Sequence, residues 1–166
     1  MKNIRVVDLT SVLSGPFCTW LLGSLGADII KVESPAGDMA RATPPFVEGE
    51  SLYFASLNRN KRSIVLDLKT EDGKEALRKL LKTADVLIEN MRPGVRSRLG
   101  FGDEELKQIN PKLIVSSISG FGQTGSLSER PGRSDREPVC PKPLICLLYT
   151  SPSPRDATLP RMPSSA

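Results

Sequence analysis

The sequence contains no histidine, so a mechanism built on an imidazole base is closed to this polypeptide as it stands. Its three cysteines fall at unrelated spacings, which fits neither a disulfide framework nor a zinc site. Aromatic residues make up 5% of the chain, and no basic stripe interleaves with them, so nucleic acid is not an expected partner. No apolar run approaches the roughly eighteen residues of a membrane span, so no membrane partner is expected. Met1-Lys2-Asn3-Ile4 enters a strand too directly to leave room for a signal peptide, and a cytoplasmic location is the expectation. A GxGxxG after the first strand is also absent, which argues against an ordinary NAD or FAD fingerprint.

What is present is ordinary for a globular α/β protein. The 166 residues are 25% charged and 39% apolar, enough for one domain with a proper core. The net charge of +4 divides at a break near Gly132. Beyond it, residues 133–166 carry five Lys/Arg against three acids, an excess of two, so residues 1–132 hold the other two. The same tail holds seven of the fourteen prolines.

Ile4 to Glu33 is the organising stretch. Ile4–Asp8 is a β-branched apolar run that reads as a buried strand. Thr10–Gly15 is small and polar, a loop. Pro16 suits the first position of a helix. Phe17, Trp20, Leu21 and Leu25 recur at helical spacing and predict its apolar face, with Gly26 as the left-handed stop. Asp28–Val32 reads as a second strand. Strand, helix and strand at this spacing form a βαβ unit, hence a parallel sheet with a right-handed crossover.

The rest of the chain repeats the alternation. Ser34–Glu50 is a long Pro- and Gly-rich loop, and Ser51–Leu57 a short helix. Ser63–Leu68 reads as a third strand. Thr70 suits the N-cap of a helix over Glu71–Lys82, whose acids lie in the first turn and lysines in the last. Asp85–Glu89 is a fourth strand, Val95–Leu99 a short helix, and Asp103 caps another helix through Ile109. Leu113–Ile118 is a fifth strand. The expected fold is α/β, a Rossmann-like parallel sheet with flanking helices, over residues 1–132. The composition of residues 133–166 predicts disorder. Cys146–Asp156 further resembles a translated sequencing-library adapter, so the tail is expected to be disordered or artefactual.

In parallel sheets ligands bind beyond the carboxyl ends of the strands. Three loops there, Leu9–Gly15, Asn90–Gly94 and Ser119–Gly125, combine glycine with small polar residues. Lys61, Arg62, Lys69, Arg92 and Arg98 are candidate cations for phosphates. No group of residues has metal-ligand spacing.

Taken together, VVDLTxVLSGP, LGADIIKVESPxGD, SLYFxSLNRNKRSIxLDLKT, ADVLIENMRPGV, LGF and INPKLIVSSISGFGQTG resemble, in order and spacing, the amino-terminal part of the family III CoA-transferases. The resemblance covers about residues 3–132. It implies a truncated large domain, CoA-binding, of an enzyme that moves coenzyme A from an acyl-CoA donor to a small carboxylic acid through an aspartyl intermediate. Coenzyme A and acyl-CoA are then substrates, with no separate cofactor, and the intact protein an interlocked homodimer. Carried over by position, coenzyme contacts fall on Leu13, Ser14, Ser34, Leu66, Lys69, Asn90, Met91 and Arg98. Leu13 stands where formyl-CoA transferases have glutamine, Ser34 where they have arginine, and Met91 where phenylalanine is common. The segment that carries the family's aspartate has no counterpart here, so no catalytic residue is assigned and the fragment is expected to be inactive alone. Two other readings stay open: an acyl-CoA racemase of the same family, and a non-catalytic nucleotide-binding module.

Overall fold

The computed structural model describes residues 1–128 and the strand Ile145–Cys146; the remainder of the expected tail lies outside the described residues. Strand β1 (Arg5–Leu9) leads into helix α1 (Ser14–Ser24) and strand β2 (Asp28–Glu33). A 3₁₀ turn over Met39–Ala42 and a small hairpin, β3 (Phe46–Val47) with β4 (Glu50–Ser51), fill the long loop. Helix α2 (Leu52–Asn58), strand β5 (Arg62–Val65), helix α3 (Glu71–Lys82) and strand β6 (Val86–Glu89) follow. Helices α4 (Val95–Arg98) and α5 (Asp103–Ile109), strand β7 (Ile114–Ile118) and strand β8 (Ile145–Cys146) complete the order.

The main sheet runs β5-β2-β1-β6-β7-β8. Its first five strands are parallel, and β8 pairs antiparallel with β7. The chain winds outward one way from β1 through β2 to β5, then crosses back to β6 and β7. This reversal puts the topological switch point between β1 and β6, where such sheets open a ligand crevice.

Strand alternation divides the core between two faces. Val7, Leu9, Val32, Leu87 and Val115 face α3 and α5, packing on Leu77, Leu81, Phe101 and Leu106. Val6, Ile29, Ile88 and Ile118 form the cluster on the opposite face, with Cys18 and Leu22 of α1. Thr70 caps α3 as the sequence predicts, its hydroxyl accepting from the Gly73 amide at 3.2 Å. A Cβ at Gly73 would lie 2.0 Å from the Asp67 carbonyl oxygen, so this turn has room only for glycine.

Helix α1 departs from expectation. Phe17, Leu21 and Leu25 are exposed, at 45%, 44% and 62%. The buried side is Gly15, Pro16, Thr19 and Gly23. Small residues let this helix approach the sheet closely, and a polar Thr19 meets a polar partner there, so the apolar spacing marks the outward face instead. Pro16 is the third residue of the helix, which begins at Ser14. Gly26 adopts the predicted left-handed conformation (φ +95°).

Candidate functional site

Beneath the carboxyl edge of the sheet the α1 face turns from apolar to charged. Asp8, Lys31 and Glu33 are buried on β1 and β2, next to the buried Asp38. Asp8 accepts from the Thr10 amide (2.9 Å) and the Thr19 hydroxyl (2.6 Å), and pairs with Lys61 Nζ at 3.2 Å. The Lys61 ammonium also donates to the Pro16 carbonyl and Asn58 Oδ1, each at 2.9 Å. Burial pulls the Lys61 ammonium below its ordinary range, while Asp8 pushes the other way. Lys31 Nζ donates to the Thr10 carbonyl at 2.8 Å and lies 2.8 Å from Asp38 Oδ2. That last contact is a buried ion pair.

Glu33 accepts a bidentate pair from Arg41 (both 2.8 Å), the Ser63 hydroxyl (2.6 Å) and the Asp38 amide (3.1 Å). The Arg41 guanidinium chiefly holds its carboxyl down, at about 2 against an ordinary 4.5. A carboxyl depressed on folding stabilises the fold fully above its unfolded value and loses that stabilisation as pH falls through the folded one. Stability is therefore expected to drop by about 2–3 kcal/mol between pH 4.5 and about 2 on account of this group. Urea unfolding across that window, with Glu33→Gln as the comparison that flattens the extra slope, measures it.

Three successive amides of the loop after β1 are fixed by side chains from separate places. Thr10 N–H goes to Asp8, Ser11 N–H to Asn90 Oδ1 (2.9 Å), and Val12 N–H to Asp38 Oδ1 (3.1 Å). Asn90 Nδ2 returns a bond to the Ser11 carbonyl at 2.8 Å. The amide of Asn90 thus spans the switch point and ties β6 to the first loop. Val12 sits at φ +70°, a left-handed conformation that costs a β-branched residue about 1–3 kcal/mol.

The eight positions implied by the resemblance lie along one edge. Leu13 and Ser14, both exposed, open α1. Ser34 is exposed just after β2, its hydroxyl 3.5 Å from the Gly37 carbonyl. Leu66 and Lys69 follow β5; Asn90 and Met91 follow β6; Arg98 ends α4. These strands are neighbours, β5-β2-β1-β6, so the positions form a continuous crescent. Leu66 and Met91 both lean, half-buried, on the larger core cluster. Lys69 and Arg98 are exposed, and among the described residues no acid pairs with either.

Two candidate cations are corrected. Lys61 is buried against Asp8, and Arg62 is held by Asp28 at 2.7 Å, so neither is free for a phosphate. Beside the crescent, Glu89, Arg92, Arg96, Asp103, Gln123 and Thr124 line a cavity of about 240 Å³. The sequence reading missed the floor of the site altogether. The signal for it was the charge at the carboxyl ends of adjacent strands, in Asp8, Lys31, Glu33 and Glu89, within otherwise apolar runs. Among the described residues no cluster of His, Cys, Asp or Glu is arranged to hold a metal ion, and no helix is long and apolar enough to cross a membrane.

Comparison with known proteins gives a consistent result. Residues 1–135 match the sequence profile of CoA-transferase family III. Acetyl-CoA:oxalate CoA-transferase of Acetobacter aceti is 54% identical over 130 residues, covering 78% of this chain and 33% of that protein. Succinyl-CoA:glutarate CoA-transferase of Homo sapiens is 47% identical over 134 residues, covering 80% of this chain and 31% of that protein. A solved CAIB/BAIF family protein from Brucella suis superposes with a TM-score of 0.75 at 48% identity, over 79% of this chain and 36% of that one. The chain spans about a third of the length of each of these relatives.

Proposed function

The chain belongs to CoA-transferase family III, and from that premise we propose that it forms the coenzyme A-binding part of an enzyme that moves coenzyme A from an acyl-CoA donor to a carboxylic acid. The observation that carries the reading is the crescent on four neighbouring strands, which takes in the β1/β6 switch point. Lys69 and Arg98 neutralise the coenzyme's phosphates. Leu66 and Met91 pack against its adenine, and the loop before α1 with Leu13 and Ser14 follows the pantetheine arm. The amide of Asn90 already holds Ser11 on both sides, so it serves by fixing that loop and has one N–H to spare for a ligand.

Transfer through an acyl-aspartyl anhydride needs a carboxylate with a free, approachable oxygen. The buried acids at this edge are already committed: Asp8 to Lys61 and Thr19, Glu33 to Arg41, Asp38 to Lys31 and Val12, and Glu89 to the Met91 amide. The resemblance assigns the nucleophile to a segment beyond the matched motifs, and on that reading this part alone is expected to turn over no substrate. An interlocked homodimer belongs to the same proposal. Exposed Phe17, Leu21 and Leu25 on α1 support it as surface that a further segment or copy would cover.

Isothermal titration of the 166-residue chain with coenzyme A tests the assignment. Lys69→Ala and Arg98→Ala are each expected to weaken binding about tenfold or more, the size of a lost charge-assisted phosphate contact. 3′-Dephospho-CoA should reproduce one of the two losses. A folded chain that gives no heat with coenzyme A overturns the reading.

A further inference from the structure

A valine in the left-handed region persists only where its surroundings hold it. Val12 has such a holder. Its amide donates to Asp38 Oδ1, which also accepts from the Ala40 amide at 3.0 Å. Asp38 is itself immobilised: its side chain and that of Lys31 are each 1% exposed and form an ion pair. The same Lys31 ammonium bonds the Thr10 carbonyl on the other side of Val12's turn. One buried pair thus grips the loop at two points, and the residue beyond the grip, Leu13, caps α1.

We propose that Asp38, seated on Lys31, is a positioning residue of this site: it fixes Val12 in its left-handed turn and so sets where Leu13, Ser14 and the first turn of α1 meet coenzyme A. The inference rests on the coenzyme A reading above. Asp38 touches no reacting atom, and its effect passes through the backbone of Val12. Removing only one member of the buried pair would leave an unpaired buried charge and confound position with stability. Removing both together, with apolar groups of similar shape, separates the two.

The test uses the 166-residue chain carrying Lys31→Met with Asp38→Leu. Amide exchange at Val12 should accelerate, and coenzyme A should bind about tenfold more weakly, while circular dichroism shows the fold retained. Adding Val12→Gly should bring affinity back to within about threefold of the parent, because glycine enters the left-handed region unaided. A purely structural role for the pair predicts no such rescue. Val12→Gly and Val12→Pro in the otherwise unchanged chain give a second reading that does not depend on the pair variant folding. Proline cannot reach a positive φ, so Val12→Pro should abolish coenzyme binding and Val12→Gly should keep it. Binding that survives Val12→Pro, or a pair variant that exposes the Val12 amide without loss of affinity, overturns the inference and leaves the coenzyme A reading standing. A parent chain that ignores coenzyme A with its Val12 amide still protected sinks both together, and that pattern distinguishes the two failures.

Discussion

Replacing Lys61 by methionine is expected to lower the stability of the folded chain by about 3–5 kcal/mol. The side chains of Lys61 and Asp8 are 2% and 0% exposed and meet at 3.2 Å. With the ammonium gone, Asp8 keeps the Thr10 amide and the Thr19 hydroxyl as partners but has no counter-charge. The Pro16 carbonyl and Asn58 Oδ1 lose a donor at the same stroke. A loss of that size is a large part of the 5–15 kcal/mol that holds a typical domain together. Urea denaturation followed by the fluorescence of Trp20 reads it directly. Lys61→Met combined with Asp8→Asn should recover part of the loss, since the amide carries no charge and its oxygen still accepts from the Thr10 amide. A single variant as stable as the parent would show that Asp8 is solvated in a way its burial denies.

Gly15→Ala is the second large effect. A Cβ there would fall 2.2 Å from Thr10 Cβ and 2.4 Å from Thr10 Cγ2. Thr10 cannot move aside, because it is buried and bonded through its own amide, hydroxyl and carbonyl to Asp8 and Lys31. Either α1 lifts from the sheet or the Thr10–Val12 loop shifts, at a cost of about 1–3 kcal/mol. The first outcome appears as a lower melting temperature. The second appears as coenzyme A binding weakened well beyond the change in stability. Ser24→Ala, on the exposed far end of the same helix, serves as the control and should do neither.

Most of the fold was legible because its signals are local. The N-cap at Thr70, the stop at Gly26 and the strands around Val6, Ile29, Leu87 and Val115 follow from residues within a turn of one another. Two parts were not legible, for different reasons. Helix α1 has two faces that both look usable, one of Phe17, Leu21 and Leu25 and one of Gly15, Thr19 and Gly23. Hydrophobicity favours the first, while close approach to the sheet and the waiting carboxylate of Asp8 select the second. The charged floor of the site depends on partners such as Lys61 and Asp8, 53 positions apart, and no window of sequence contains both. Lys61 therefore looks like a surface cation until Asp8 is placed beside it. The positions carried over by resemblance share one edge because strand order brings four carboxyl ends together, which the resemblance implies and spacing alone does not.

The place of β1 in the middle of the sheet bears on how this chain is made. Of these strands β1 is made first; β2 can join one of its edges soon afterwards, and β5 then adds to β2. Its other edge must wait for β6, whose Leu87 pairs with Val7 and whose trailing Asn90 reaches Ser11 across 79 positions. Closing so long a loop costs entropy before any contact returns it. The crevice consequently takes shape only once β6 is in place, and a nascent chain halted before Asn90 would carry the first loop with its Ser11 amide unclaimed. Synthesis that slowed there would hold half a sheet with an open central edge, a surface prone to pair with another chain.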